Sequence, residues 1–253
     1  MSKFRPPLSE SRAFVIVEVG SNHMGSLNSA FAHIVEAQKV GADAAKFQLF
    51  RPEDILVDPS GCDLRTVLPP DWIPRLHAAC LELGIRFMCT PFSPWAVDIL
   101  NPYVDLWKLG SFEHARFDII DAIEATGKPV IASCGRGIPS SDSDWNLLYC
   151  VSEYPASIAT IQFPAFYPYG RYDGFSDHTL STVLPALAVA KGAIIIEKHF
   201  RTDSADPRSP DYPHSLGPTQ FREMVTNIRL AEATCLKPPS PFPEPSRYPN
   251  RRE

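Results

Sequence analysis

The sequence lacks the features that mark membrane proteins and nucleic-acid-binding proteins. None of its apolar runs approaches the roughly 20 residues that a membrane helix needs, and basic residues form no block before residues 247–253. The 24 basic and 29 acidic residues give the 253-residue chain a formal net charge of −5. We therefore expect neither a membrane nor a nucleic acid as a partner.

Two short motifs are also missing, and so is an apolar stretch before Phe14. The six cysteines include no CxxC pair, so neither a zinc ribbon nor a disulfide framework is indicated. The glycine turn "GSNHMG" is not a P-loop, because no GK[ST] follows it. No apolar stretch precedes Phe14 in the sequence. These absences predict a soluble cytoplasmic protein with reduced thiols.

Short apolar runs rich in β-forming residues recur along the chain. They cover residues 14–19, 44–50, 85–90, 105–110, 129–134, 146–152, 172–177 and 193–200. Helical periodicity marks the intervening segments "SLNSAFAHIVEAQKVGA", "WIPRLHAACLELG", "FDIIDAIEATG" and "LSTVLPALAVAKGA", each with a glycine at its end that can cap a helix. Strands that alternate with helices pair in parallel through crossover connections. The pattern predicts an α/β fold, a (β/α)8 TIM barrel, with an open doubly wound sheet as the alternative.

The predicted barrel is pared down around its fifth and sixth helices. The segment "GRGIPSSDSDW" is too short for a full crossover helix, and "YPASIATIQFPAFYPYGR" carries four prolines that leave room only for a brief one. A last helix is predicted at 218–235. We expect one barrel domain over residues 1–236, followed by a proline-rich tail at 237–253.

Polar side chains close the predicted strands in run after run. They are Glu18, Lys46, Thr90, Lys108, Ser133, Ser152, Ser176 with His178, and Glu197 with Lys198 and His199. Any one of them could be an ordinary solvated strand end. In a barrel, however, all these ends meet on the C-terminal face, where barrel enzymes carry out their chemistry.

Two histidines follow adjacent predicted strands at the same end. His178 and His199 would lie close enough to share one divalent metal, with positions left for water and substrate. A lone histidine at a strand end is more often an ordinary hydrogen-bonded residue. Asp177, although next to His178, falls on the opposite face of its strand and is expected to orient the loop.

Two lysines and a glutamate complete the candidate chemistry. Lys46 and Lys108 end apolar strands, and together with nearby hydroxyls they would suit a phosphate and a carboxylate. One lysine could instead form a Schiff base, as in an aldolase, or each could pair with an acid such as Glu113 or Glu153. Glu18 could act as a general base, orient a substrate hydroxyl or join the metal shell.

At this point the chain resembles the N-acetylneuraminate (sialic acid) synthase family. The resemblance runs from about Phe14 to Ile228 and rests on motifs that occur in order, namely "VEVGSNHMG", "GADAAKFQLF", "CTPFS", "WKLGSFE", "TGKPVIAS", "CVSEYP", "FSDHTL" and "EKHF". It implies a metal-dependent transferase of carbohydrate biosynthesis that condenses phosphoenolpyruvate with an N-acylated amino sugar similar to N-acetylmannosamine. The products would be a nonulosonic acid and phosphate.

The resemblance also implies individual roles. His178 and His199 would bind the metal, expected to be Mn2+ with Mg2+ or Co2+ as alternatives, and His199, Glu18, Lys46 and Lys108 would be catalytic. Positions that contact the phosphate or carboxylate of phosphoenolpyruvate are Thr90, Ser111, Ser133 and Ser176. Positions near the sugar and the reacting carbons are Glu18, Gln48, Glu113, Tyr154 and Asp211. Ser152, at a strand end, is also expected to bind substrate.

The chain departs from the family pattern in ways that leave alternatives open. The resemblance covers the catalytic barrel without the family's small C-terminal antifreeze-like domain, and the spacing to Asp211 is one residue longer than usual. A homodimer is expected on the family's example. The alternatives are a barrel that binds a phosphorylated ligand without turnover, as an accessory subunit, and a metal-dependent pyruvate aldolase.

Overall fold

A computed structural model describes residues 3–4, 12–55, 59–138 and 144–235, so the predicted tail at 237–253 lies outside the described residues. Eight parallel strands form one sheet. The strands are β1 (Phe14–Glu18), β2 (Ala44–Leu49), β3 (Arg86–Pro91), β4 (Trp107–Leu109), β5 (Val130–Ser133), β6 (Asn146–Tyr149), β7 (Gly174–Asp177) and β8 (Ile195–His199).

The sheet curves into a nearly closed barrel. Its order is β3-β2-β1-β8-β7-β6-β5-β4, so the first and last strands of the chain are hydrogen-bonded neighbours. β3 and β4 lie against each other, and no strand pairing joins them among the described residues. The pairing of β1 sets Glu18 beside Lys46 on one side and beside His199 on the other. The predicted TIM barrel is confirmed.

Helices cover the outside of the barrel. They are α1 (Leu27–Lys39), α2 (Pro52–Ile55), α3 (Ile73–Glu82), α4 (Pro94–Leu100), α5 (Phe117–Ala125), α6 (Leu184–Ala190) and α7 (Pro218–Cys235). Helix α4 was not predicted, because two turns are too short for a clear periodicity. It forms because Pro94 starts the helix and because Ala96, Val97 and Leu100 are buried against the barrel.

The predicted glycine caps are present at the ends of four helices. Gly41, Gly84, Gly127 and Gly192 follow α1, α3, α5 and α6 with φ angles of +84°, +69°, +71° and +107°. Only a residue without Cβ adopts such angles at little cost. Each glycine lets the chain leave its helix and turn towards the next strand.

The barrel is thin where the sequence predicts it. Between β5 and β6, the described residues 134–138 and 144–145 include no helix, and 139–143 lie outside the description. Between β6 and β7, the helical structure among the described residues is one 3₁₀ turn, Ile158–Thr160. Within the described part of the chain, no helix combines the length and apolar character needed to cross a bilayer.

The period of two in the strands divides the barrel into an apolar lower layer and a polar upper layer. The lower layer comprises the inward residues Phe14, Ile16, Ala44, Met88, Leu106, Ile131, Leu148 and Ile195. Successive side chains of a strand point to opposite faces, so the next inward residue comes two positions later. The upper layer therefore comprises Glu18, Lys46, Thr90, Lys108, Ser133, Cys150, Ser176 and Glu197, all buried.

Candidate active site

Two lysines and two glutamates meet at the centre of the upper layer. Lys46 Nζ lies 2.5 Å from Glu18 Oε2 and 3.5 Å from Glu197 Oε2, and Lys108 Nζ lies 3.3 Å from Glu197 Oε1. Thr90 Oγ1 lies 3.1 Å from Lys46 Nζ, and Ser133 Oγ lies 2.8 Å from Lys108 Nζ. The two lysines therefore lie next to hydroxyl groups, as the sequence predicts. The acids that pair with them are Glu18 and Glu197, not Glu113 or Glu153 as the sequence alternative had it.

Burial and ion pairing oppose each other in this network. Burial alone would lower the pKa of Lys46, but Glu18 and Glu197 raise it above its ordinary value. Burial raises the pKa of Glu18 in spite of Lys46. For Glu197, burial would also raise the pKa, but Lys108 and Lys46 hold it below its ordinary value. Lys46 is therefore protonated, and of these two glutamates Glu18 accepts a proton more readily than Glu197.

Glu197 is a site residue that sequence reasoning missed as a functional group. It was recognised only as a strand end, although it lies two residues before His199 and thus on the same face of β8. Ser176 Oγ donates to Glu197 Oε1 over 2.8 Å, so its carboxylate joins β7 to both lysines. The period of two was the signal that could have identified it.

His178 is held in one tautomer, with Nε2 as the acceptor nitrogen of its ring. Its Nδ1 lies 2.7 Å from the carbonyl oxygen of Val151, an acceptor, so Nδ1 must donate and Nε2 keeps its lone pair. Burial lowers the pKa of His178 to about 3, assisted by the nearby His199. A neutral imidazole of this kind suits a divalent ion.

His199 faces His178 with ring centres 5.7 Å apart. In the part of the chain that the structure describes, its buried Nδ1 makes no hydrogen bond of good geometry, although Asp211 Oδ1 lies 3.2 Å away. A second imidazole with an unsatisfied nitrogen fits a metal centre, so the residues present are compatible with the predicted divalent ion.

A second cluster lies on the other side of His199. His199, Asp211 and His214 offer nitrogen or oxygen atoms that all lie within 4.8 Å of one another. His214 is buried, and its Nε2 lies 3.2 Å from Asp211 Oδ1. Sequence reasoning missed His214, because it follows Asp211 on a short 3₁₀ turn, Tyr212–His214, and no strand spacing points to it.

The remaining predicted residues surround this centre. Gln48 Nε2 donates to Glu18 Oε1 over 2.6 Å. Burial raises the pKa of Glu113, whose carboxylate lies so close to Gly110 that a side chain at that position would collide with it. The ring of Tyr154 lies over His178, with centres 4.2 Å apart. Gln48 belongs to β2, whereas Glu113 and Tyr154 lie in the loops after β4 and β6.

One cavity of about 230 Å³ brings the predicted residues together. It is lined by Glu18, Lys46, Gln48, Thr90, Lys108, Ser111, Glu113, Ser133, Tyr154, Ser176, His178, His199 and Asp211. Ser152 does not line this cavity. Its hydroxyl donates to Oγ of Ser111, which does, over 2.9 Å. A neighbouring cavity of about 470 Å³ shares Gln48, Glu113 and Asp211 with it, which leaves room for a second substrate.

The structure places Asp177 away from this cavity. Its Oδ2 lies 2.6 Å from Lys198 Nζ, and its Oδ1 accepts from the backbone amide of Thr179. Both Asp177 and Lys198 are fully buried on the outer face of the barrel. The pair holds the loop that carries His178 out of β7.

Comparisons with known proteins agree on one family. The NeuB family model matches residues 33–237. The chain is 34% identical to an uncharacterised protein of Methanocaldococcus jannaschii, over 87% of this chain and 71% of that protein. It is 30% identical to N,N'-diacetyllegionaminic acid synthase of Legionella pneumophila, over 90% and 74%. The solved N-acetylneuraminic acid (sialic acid) synthetase of Leptospira borgpetersenii is similar in fold, with a TM-score of 0.82, 27% identity and coverage of 93% and 88%.

Proposed function

The chain belongs to the NeuB family, and on that premise we propose that it condenses phosphoenolpyruvate with an N-acylated amino sugar. The expected products are a nonulosonic acid and inorganic phosphate. The observation that carries the proposal is that one cavity is lined both by two buried lysines and by the imidazoles of His178 and His199. The first pair suits a phosphorylated carboxylate, and the second suits a divalent ion that acts on a carbonyl group.

Phosphoenolpyruvate binds at the lysines in this proposal. Lys46 and Lys108 offset the charge of its phosphate and carboxylate, while the hydroxyls of Thr90 and Ser133, already within reach of the lysines, donate to its oxygens. Ser111 and Ser176 line the same cavity and contribute further donors. The contribution of these groups is chiefly positioning and charge stabilisation.

His178 and His199 hold the divalent ion, which we expect to be Mn2+. When bound, the ion acts as a Lewis acid on the carbonyl group of the open-chain sugar. The fixed tautomer of His178 leaves the lone pair on Nε2, so this nitrogen can bind the ion without loss of a proton. Tyr154, packed on His178, limits the access of water to the ring.

The reaction forms a carbon–carbon bond and a carbon–oxygen bond to water, and it breaks the bond between carbon 2 and the phosphate oxygen. The two protons of the water end on the new hydroxyl group of the sugar chain and on the released phosphate. Carbon 3 of phosphoenolpyruvate attacks the carbonyl carbon of the sugar. Positive charge develops at carbon 2, and water adds to that carbon. Loss of phosphate from the resulting tetrahedral carbon leaves the keto acid. Glu18, whose pKa is raised by burial, takes the proton of the water or orients it.

Release of phosphate tests the proposal directly. Purified protein is incubated with Mn2+, phosphoenolpyruvate and a panel of N-acylated amino sugars, and phosphate release that depends on both metal and sugar is expected. Lys39→Met, which removes a lysine from the exposed end of α1, is the matched control for Lys108→Met. Absence of phosphate release with every sugar and every divalent ion would contradict the proposal.

Borohydride treatment separates this function from a Schiff-base aldolase. Glu18 and Glu197 raise the pKa of Lys46, whereas a Schiff base requires the neutral amine. We therefore expect no pyruvate adduct after reduction, as measured by intact mass. We also propose that the protein is a homodimer, which light scattering of the purified protein tests. We propose further that it is cytoplasmic, which fractionation of the source cells tests.

A further inference from the structure

Asp211 is a partly buried carboxylate, and both of its oxygens lie against polar groups of the protein. Oδ2 accepts from the backbone amide of Ser21 over 2.7 Å and from its hydroxyl over 2.5 Å. Oδ1 lies 3.2 Å from His199 Nδ1 and 3.2 Å from His214 Nε2. The carboxylate therefore joins the loop after β1 to two imidazoles.

The loop after β1 is built to approach this carboxylate. Gly20 has a φ of +53°, and a side chain there would collide with Asp211 Oδ2. Asn22 Nδ2 donates to the carbonyl oxygen of Phe200 and to Ser215 Oγ, each over 2.9 Å. Ser215 Oγ in turn donates to the carbonyl oxygen of Asp211 over 2.6 Å. Glycine and asparagine thus fix Asp211 next to the exit of β8.

We propose that Asp211 is a positioning residue that acts on the metal through His199, and that His214 anchors it. The inference rests on the proposed metal site at His178 and His199. In this role, Asp211 Oδ1, 3.2 Å from His199 Nδ1, accepts the hydrogen bond of that nitrogen when a metal ion orients the ring, and the lone pair of Nε2 is then directed to the ion. A carboxylate behind a metal-binding histidine commonly orients the ring and strengthens the ligand in this way.

His214 completes the arrangement from the far side. Its ring stands at 77° to that of His199, with centres 4.4 Å apart, and it also packs edge-on against Tyr154. Because His214 Nε2 donates to Asp211, that nitrogen is not free to bind the ion. Its role is to keep Oδ1 between the two rings.

The alternative role for Asp211, which the family resemblance implies, is a direct contact with the sugar. The hydrogen bonds already made by its oxygens leave little capacity for that contact. The two roles predict different measurements, because positioning changes the affinity for metal in the absence of any sugar.

The test is the affinity of the full chain for Mn2+ alone, measured by electron paramagnetic resonance of the free ion. Asp211→Asn is expected to weaken binding by about 10- to 100-fold, and His214→Gln by a smaller factor. Asp203→Asn removes the same charge from an exposed position of the same loop and is expected to bind as the wild type does. At saturating Mn2+, Asp211→Asn should leave the KM for the sugar almost unchanged.

Three outcomes overturn the inference. One is wild-type Mn2+ affinity in Asp211→Asn together with a raised KM for the sugar. Another is an equal loss of affinity in Asp203→Asn. The third is the loss of one coupled imidazole nitrogen from the Mn2+ spectrum of His214→Gln, which would make His214 a ligand. If Asp211→Asn does not fold, Ser21→Ala removes a donor to the carboxylate, and unchanged affinity in that variant counts against the inference.

The proposed metal site is tested separately with His178→Asn. If that variant binds Mn2+ as tightly as the wild type does while Asp211→Asn does not, the ion is not at His178 and the proposed site fails. If His178→Asn loses binding and Asp211→Asn does not, only the role of Asp211 fails.

Discussion

Lys108 and Lys198 are both buried lysines on the strands of one barrel, yet their surroundings differ. Lys198 Nζ is surrounded by Asp177 and by the carbonyl oxygens of Thr179 and Ser181, on the outer face of β8. Lys108 Nζ contacts Ser133 and Glu197 and borders the cavity. A buried ion pair therefore does not mark function by itself. What distinguishes Lys108 is that a ligand can reach it.

The largest expected effect concerns the outer pair and appears in stability. Lys198→Met leaves Asp177 buried without its cation, which should cost about 3–5 kcal/mol in the free energy of unfolding. Urea denaturation measures the loss. The double variant with Asp177→Leu should recover most of it, because an apolar pair of similar volume is tolerated. If the single variant were as stable as the wild type, the pair would not hold the loop.

The inner lysine should give the opposite result. Lys108→Met is expected to lower kcat/KM by about 10²- to 10³-fold, because one charge that stabilises the bound phosphate and carboxylate is lost. Steady-state phosphate release with varied phosphoenolpyruvate measures this effect. The folded fraction of Lys198→Met should lose much less activity than Lys108→Met, because Lys198 does not line the cavity. Equal losses of activity in the two variants would remove the distinction between inner and outer lysines.

A smaller effect concerns two buried histidines, His33 behind the barrel and His178 inside it. Burial lowers the pKa of His33 to about 4 and of His178 to about 3. Below about pH 6.5 these two histidines become protonated in the unfolded chain, but they stay neutral in the folded chain. Each histidine therefore lowers stability, by at most about 1.4 kcal/mol per pH unit, as the pH falls towards its folded pKa.

Replacement of His33 separates stability from metal binding. His33 Nδ1 lies 2.7 Å from the carbonyl oxygen of Ser29, outside the cavity. His33→Gln should flatten the dependence of the unfolding free energy on pH between 6.5 and 4 without changing the affinity for Mn2+. Denaturation at several pH values checks the slope, and a steeper slope in the variant would contradict the assignment.

Most of the site was predictable because barrel topology converts strand ends into neighbours. Lys46 and His178 are far apart in the chain, but both follow apolar strands and line the same cavity. The lack of a helix among the described residues between β5 and β6 was also predictable, since proline, glycine and serine replace helical periodicity in that segment. Helix α4 escaped detection, because its two turns gain stability mainly from packing.

Other contacts depend on how loops return to the barrel. His214 reaches His199 because the loop after β8 folds back over the strand end, which no spacing in the sequence encodes. The pairing of Glu197 with both lysines likewise depends on which strands close the barrel. Side-chain distances of about 3 Å are set by tertiary packing and not by local propensity.

The sequence by itself determined the barrel, its thin side, the family and the layer of polar strand ends, because periodicity and turn residues act locally. The tertiary structure decided which acid meets which lysine, and that Asp211 joins Ser21 to two imidazoles. These facts follow from the closure of the sheet and the return of its loops. Both bring together atoms that are distant in the chain, where local preferences carry no information.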